Sequence, residues 1–376
     1  MRCVPFFYLG LLFAGLFFLC CGKTGQSKEI IVQEPQDTLR HLSILFAGDL
    51  MQHKPQITAA AKGDGYDYEE CFRYMRPLIE QADVAIGNLE VTLAGKPYTG
   101  YPTFSAPDDF LKGVKAAGFD LLLTANNHCL DRGKLGLERT LDVIEAQEIP
   151  HLGTYRDSLE RAKNYPYLLE KNGFRIALLN FTYDTNGIEV TSPNIVNYID
   201  TLELNRDILK ARSMKPDLII ACPHWGIEYK QLPSNDQKTL ADWLLNHGVS
   251  HVIGGHPHVL QPMELRHDSL TLDRHLVVYS MGNYVSNMSA VNTDGGAQVM
   301  MHFSKYAGIT KLDSCSYSLY WVSKPKDSGH RNYRIYPVTI PQDSLNATEK
   351  ALMKRFVTNA RQLFSQHNIG IAEKYE

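Results

Sequence analysis

Apolar runs along this chain keep ending in the same way. Ser43-Ile-Leu-Phe-Ala-Gly-Asp49 is apolar up to Gly48 and then presents a carboxylate. Asp83-Val-Ala-Ile-Gly-Asn-Leu-Glu90 repeats the device and ends on Glu90. The run 119–125 stops at Asn126, Asn127, His128 and Asp131. Run 217–226 carries His224, run 250–258 carries His256 and His258, and run 275–283 ends on Gly-Asn283. Short apolar runs bounded by glycine and polar groups predict buried strands, as does run 174–181. Between them, 135–147, 202–213 and 236–246 predict helices. Leu135, Leu141 and Ile144 are the expected core face of the first. The third stops ahead of Gly248, a helix-ending residue.

Strands alternating with helices predict an α/β layered fold. After residue 295 the pattern changes. Runs 298–303, 314–322 and 333–338 alternate as antiparallel strands do, and are expected to extend a sheet edge. Run 346–366 is a closing amphipathic helix. The whole of 41–376 is expected to be one domain, with its motifs in 43–287 and the later strands and helix in 295–370.

Residues 1–21 differ in kind. Arg2 precedes an almost unbroken apolar run from Val4 to Leu19, shorter than a comfortable membrane span. Cys20 and Cys21 follow, then a polar stretch. This pattern is that of a secretory signal, and the cysteine at its end is similar to a bacterial lipoprotein leader. Cys21 is the expected lipidated residue, because Cys20 follows the bulky Leu19. The expected location is therefore exported and membrane-anchored by lipid, on the periplasmic or cell-surface side. Residues 22–40 are expected to be a flexible tether.

The chain has 376 residues, a formal net charge of −3 and 44% hydrophobic residues. No basic stripe is present, so nucleic acid is not an expected partner. Cys71, Cys129, Cys222 and Cys315 form no C-x-x-C pair, which gives no zinc-ribbon or redox signature. Disulfides and buried thiols both stay open for these four.

The polar strand ends change the picture. Carboxylates, an amide and several imidazoles at successive strand ends are ligands that divalent first-row metals take. In open α/β sheets ligands bind at such carboxyl ends. Gly48, Gly87, Gly254 and Gly255 let the backbone turn close to the site. In an extended segment His256 and His258 face the same side, a chelating geometry. Asn127 and His128, one residue apart, would instead diverge, one toward a metal and one toward a substrate.

Read in order, Gly-Asp, Gly-Asn-Leu-Glu, Ala-Asn-Asn-His-x-x-Asp-x-Gly, His-Trp-Gly-x-Glu, Gly-His-Pro-His and Ser-Met-Gly-Asn resemble the CapA family of bacterial capsule-synthesis, poly-γ-glutamate-associated proteins. That family is in turn similar to calcineurin-like metallophosphoesterases. The resemblance covers about residues 43–287. It implies a metallophosphatase-like four-layer αββα sandwich with mixed sheets. It also implies a role in making or attaching an anionic cell-envelope polymer, or in handling its precursor.

Carried across the motifs, Asp49, Glu90, Asn127, His224, His256 and His258 become metal ligands, and His128 acts on the leaving group. The metal would be a divalent ion of the zinc, manganese or iron class. Glu228 could fix the tautomer of His224, Asp131 and Arg132 could cap the following helix, and Asn283 could close the floor. One departure stands out. Phosphoesterases begin with Asp-x-His, whereas Leu50 and Met51 follow Asp49 here. His53 is the residue that could replace the lost ligand. Two functions follow: hydrolysis by an ion-activated water with His128 as proton donor, or non-catalytic polymer binding and assembly on the same scaffold.

Overall fold

The computed structural model describes residues 38–268 and 273–375. The leader, Cys21 and the tether up to residue 37 lie outside the described residues. The described residues form one compact unit. No helix among the described residues is long and apolar enough to cross a membrane.

Two mixed sheets dominate. The first contains β1 (Arg40–Leu50), β2 (Val84–Leu89), β3 (Leu121–Leu123) and β4 (His151–Leu152), all mutually parallel. The second contains β5 (Tyr167–Lys171), β6 (Phe174–Thr182), β7 (Leu218–His224), β8 (His251–Ile253), β9 (Met263–His267) and β10 (Arg274–Val278), in the order β9-β10-β8-β7-β6-β5. Its four central strands are parallel and its two edges antiparallel. The chain then returns to the first sheet as β11 (Asn283–Val285), β12 (Gly295–Tyr306), β13 (Ile309–Ser323) and β14 (Arg334–Pro337). The last three add antiparallel beyond β1, as their alternating pattern predicts.

Strand alternation explains the layers. Leu42, Ile44 and Phe46 of β1 share one apolar cluster with Ile176, Leu178 and Ile220 of the second sheet. Leu45 and Ala47 face the other way, into a cluster with Phe110, Leu111 and Val114 of α2. Here α1 is Lys54–Ala60, α2 is Asp108–Ala116, and α3 is Gly133–Ala146. Each of those three α2 side chains contributes about 1.5–3 kcal/mol by burial. On the second sheet the cover is α4 (Thr201–Ser213) and α5 (Asn235–Asn246), whose Leu204, Ile208, Ala241 and Leu244 join its core. Helices, sheet, sheet and helices therefore stack as the mixed-sheet α/β sandwich expected from the resemblance. The closing helix α6 (Ala347–His367) starts with a capping box at Asn346 and Glu349, and packs Phe364 on Tyr317 of β13.

Two expectations are corrected. Leu135 is 79% exposed, and α3 buries Leu137, Leu141 and Ile144 instead. That i, i+4, i+7 set lies on one helix face, whereas Leu135 falls on another. Run 275–283 is not one strand. β10 ends at Val278 in the second sheet and β11 begins at Asn283 in the first. Residues 279–282 carry the chain across, and Leu260 bridges to Met281 within that passage.

The four described cysteines are free thiols: Cys71, Cys129 and Cys222 are buried and Cys315 is half-buried. Burial pushes the Cys71 and Cys129 thiols up to about 12.

Candidate metal centre

The carboxyl ends of β1, β2, β3, β7 and β8 meet at one place. β1 reaches it through an irregularity: Ala47 pairs with Gly87, but Asp49 pairs with Asn88, so Gly48 is skipped in the register. Strict alternation after Leu42, Ile44 and Phe46 would turn Gly48 inward and Asp49 outward. The skip reverses that and turns Asp49 toward the second sheet. Only glycine fits at the skip, because a Cβ on Gly48 would lie 2.0 Å from the Gly282 carbonyl oxygen. β2 needs no such device. Val84, Ile86, Asn88 and Glu90 alternate on the inward face.

The side chains converge as expected for Asp49, Glu90, Asn127, His224, His256 and His258, all buried. Asn127 Oδ1 stands 2.8 Å from His224 Nε2, and Glu90 Oε1 stands 3.5 Å from the same nitrogen. His258 Nδ1 lies 2.9 Å from Asn283 Oδ1 and 3.4 Å from Asp49 Oδ2. The Asn283 amide donates to the Thr293 carbonyl, which turns its oxygen to His258. Nδ1–H of His258 therefore donates to Asn283, and Nε2 keeps its lone pair toward Glu90, 3.8 Å away. Asn283 thus sets the tautomer of His258.

His256 and His258 do not sit on an extended segment. Their φ angles are 99° and 58°, so the loop coils and presents both rings inward from successive bends. Left-handed backbone at non-glycine residues is strained and clusters at functional sites. Asn127 and His128 likewise lie in a turn rather than a strand, yet they do diverge. His128 Nδ1 is 2.8 Å from Asp131 Oδ2, and the Phe104 ring packs edge-on against it at 4.6 Å.

Three placements differ from expectation. Glu228 approaches His258 at 4.0 Å rather than His224. Asp131 and Arg132 do not cap α3 with their side chains; Asp131 holds His128 and accepts from the Phe104 amide, and Arg132 donates to the Pro97 carbonyl. His53 does not replace the lost ligand. It occupies the N-cap of α1, its Nδ1 faces Gln56 and accepts from the Asn287 amide, and it belongs to no metal-type cluster among the described residues. Three residues separate His53 from Asp49, and the chain turns into α1 directly after it.

Sequence reasoning passed over several residues. Asn88 donates to Asp49 Oδ1 at 2.8 Å and to Glu90 Oε2 at 3.3 Å, tying the two carboxylates together. Its position two residues before Glu90 on a strand was the available signal. Asn126 holds Asn88 in turn, and Asn186 accepts from Asn127 Nδ2, which leaves Asn127 Oδ1 to face the cluster. Tyr183 packs its ring on His256 at 4.5 Å. Nothing local in the sequence marks Asn186 or Tyr183.

Burial sets the electrostatics. It holds the Glu90 carboxyl well above the usual range, with the Asp49 charge as the next cause. Burial would raise Asp49 too, but His258, His224 and Asn88 outweigh it and hold Asp49 below its ordinary value. Burial lowers His224 to about 3 and His53 to about 4, and drives His256 well below the normal imidazole range. His224 and His256 are thereby kept neutral, the form that ligates metal.

The donor set fits a divalent ion. Glu90 Oε1, His256 Nδ1 and His258 Nε2 are buried with no hydrogen-bond partner. Each such atom costs about 1–3 kcal/mol if left unsatisfied. Three overlapping groups bring one ligand atom per residue within 4.8 Å of one another: Glu90, His224 and His256; Asp49, Glu90 and His258; and Glu228, His256 and His258. Oxygen and imidazole ligands in that mix suit zinc, manganese or iron.

The profile of the family described as bacterial capsule synthesis protein PGA_cap matches residues 43–288. A capsule biosynthesis protein CapA of Bacillus anthracis is 29% identical over 275 residues, which is 69% of this chain and 64% of that protein. The PGA biosynthesis protein CapA of Bacillus subtilis is 28% identical over 277 residues, 70% of this chain and 68% of that one. Among solved structures, the Haemophilus influenzae NAD nucleotidase aligns at 14% identity and a TM-score of 0.49, covering 87% of this chain and 68% of its own. A calcineurin-like phosphoesterase of Bacillus subtilis aligns at 15% identity and a TM-score of 0.47, covering 86% of this chain and 99% of its own.

Proposed function

The chain belongs to the bacterial capsule synthesis protein PGA_cap family, and from that premise we propose that it acts outside the cytoplasm on a capsule-type or related anionic cell-envelope polymer, or its precursor, through a metal-dependent hydrolase-type site. The observation that carries this reading is the set of buried, unpartnered ligand atoms on Glu90, His256 and His258, beside the His128–Asp131 pair.

A divalent ion held by Asp49, Glu90, Asn127, His224, His256 and His258 would supply Lewis-acid polarisation of the bond to be cleaved. The remaining work falls to this chain's own groups. Asp131 accepts from Nδ1–H of His128, which leaves Nε2 as the position that exchanges a proton with substrate. Phe104 covers the ring and keeps water from its face. Asn186 and Asn88 orient the amide and carboxylate ligands. As a water molecule adds to the carbonyl or phosphorus centre and the amide or ester bond opens, His128 protonates the leaving group from Nε2.

The test pairs elemental analysis of the purified protein with hydrolysis of a panel: phosphomonoesters, phosphodiesters, γ-glutamyl peptides, peptidoglycan fragments and poly-γ-glutamate. Bound metal together with turnover of one class is the expected result. His53, turned to Gln56 instead of the cluster, favours a second reading, in which the site binds polymer for assembly without cleaving it. Metal without turnover on every class would favour that reading, and absence of metal under all loading conditions would overturn the hydrolase reading and leave the non-catalytic scaffold.

The location is tested separately. Cys21→Ser is expected to move the protein from the membrane fraction to the soluble exported fraction. Release by Cys20→Ser alone would move the lipid to Cys20, and release by neither would end the lipoprotein reading.

A further inference from the structure

A second cavity of about 500 Å³ lies between the start of α4 and the first half of α5. Its apolar lining is Tyr183, Ile199, Trp225, Ile227, Leu240 and Trp243, which include two of the chain's three tryptophans, and uncharged polar residues such as Ser234 and Gln237 complete the wall on the side of α5. Asp236 is the only charged residue that lines it. The cavity adjoins the metal cluster. Tyr183 forms its wall on one side and packs on His256 at 4.5 Å on the other, and Trp225 directly follows His224. Among its lining residues, Ile227 is 55% exposed and Tyr183 is 41% exposed.

We propose that this cavity holds the apolar chain of an amphipathic substrate whose polar end lies on the metal cluster. The inference rests on the hydrolytic reading of the cluster given above. The volume is that of a small-ligand site, which typically spans about 300–1,000 Å³. With no Lys, Arg or His in its lining, it offers an anionic group nothing to pair with, and Asp236 repels one. A polyglutamate strand is therefore not its occupant. Apolar and aromatic walls favour a hydrocarbon chain, and exposed apolar residues clustered at an opening mark a binding surface rather than ordinary surface scatter. The substrate class that satisfies both neighbouring sites carries an acyl or prenyl chain joined to a phosphate or amide headgroup.

The test uses dodecyl phosphate brominated near the chain end, held below its micelle concentration, with tryptophan fluorescence as the readout. The full-length protein is expected to show saturable quenching both when loaded with zinc and after chelation, because the chain site does not need the ion. Ile227→Asp, at an exposed position that leaves the fold intact, is expected to weaken binding at least 10-fold with unchanged metal content. Saturable quenching without hydrolysis of any panel compound would uphold the cavity assignment and overturn only the catalytic reading. No saturable quenching in either metal state would overturn the proposal. So would equal quenching of Ile227→Asp, or binding of N-acetylglucosamine oligomers in place of the alkyl phosphate.

Discussion

His128→Ala is expected to stay folded and keep its metal content while lowering kcat by about 10²–10⁴ on whichever substrate is turned over, the usual cost of losing a positioned acid or base. The argument is geometric. His128 contacts Asp131 at 2.8 Å and Phe104 at 4.6 Å between ring centroids, and it belongs to none of the three metal-type groups. Asp131→Asn should cost less, because Nδ1 keeps a partner while losing the charge that favours the protonated ring. The pH profile of kcat separates this from a structural effect: the alkaline limb, which a proton donor sets, should shift in Asp131→Asn and be lost in His128→Ala. Loss of metal from His128→Ala would make His128 a ligand and reverse the assigned roles.

Glu90→Gln is expected to act in opposite directions on metal and on the metal-free fold. Metal affinity should drop by about 100-fold or more, since even residues that only support a ligand typically cost 10–100-fold. In the presence of chelator the variant should be more stable than the parent by about 1–3 kcal/mol. Glu90 is fully buried beside Asp49, and burial and that neighbouring charge both disfavour its ionised form. A glutamine keeps the shape, removes the charge and places an N–H opposite the lone pair of His258 Nε2. Thermal unfolding with and without chelator, together with a zinc titration, reads both effects. A variant less stable than the parent under chelation would show that the carboxylate serves the fold rather than the ion.

Much of the site was legible because strand ends announce themselves locally. An apolar run, a glycine and a polar residue can be recognised within a window of eight, and six ligand-type residues were found that way. The residues passed over have no such window. Asn88 lies inside its strand, Asn126 was visible but assigned no task, and Asn186 and Tyr183 come from a loop with no pattern of its own. The wrong assignments share a cause. Glu228, Asp131 and Arg132 were matched to neighbours in sequence, whereas side chains choose partners by distance in space.

By itself the sequence determined which segments become strands and helices, where most of them stop, and which ligand chemistry is delivered to the strand ends. These follow from side-chain period, capping and glycine, all of which act over a few residues. Only the tertiary structure decided that Asp49 points inward. That outcome depends on β1 skipping Gly48 in its register with β2 while packed against Gly282, more than two hundred residues away. Packing likewise split run 275–283 between two sheets, bent His256 and His258 into left-handed backbone, and left His53 outside the cluster. The physical reason is the same in each case. A candidate metal site that gathers residues 49, 90, 127, 224, 256 and 258 is a set of long-range contacts, and their geometry exists only once two separate sheets have closed on one core.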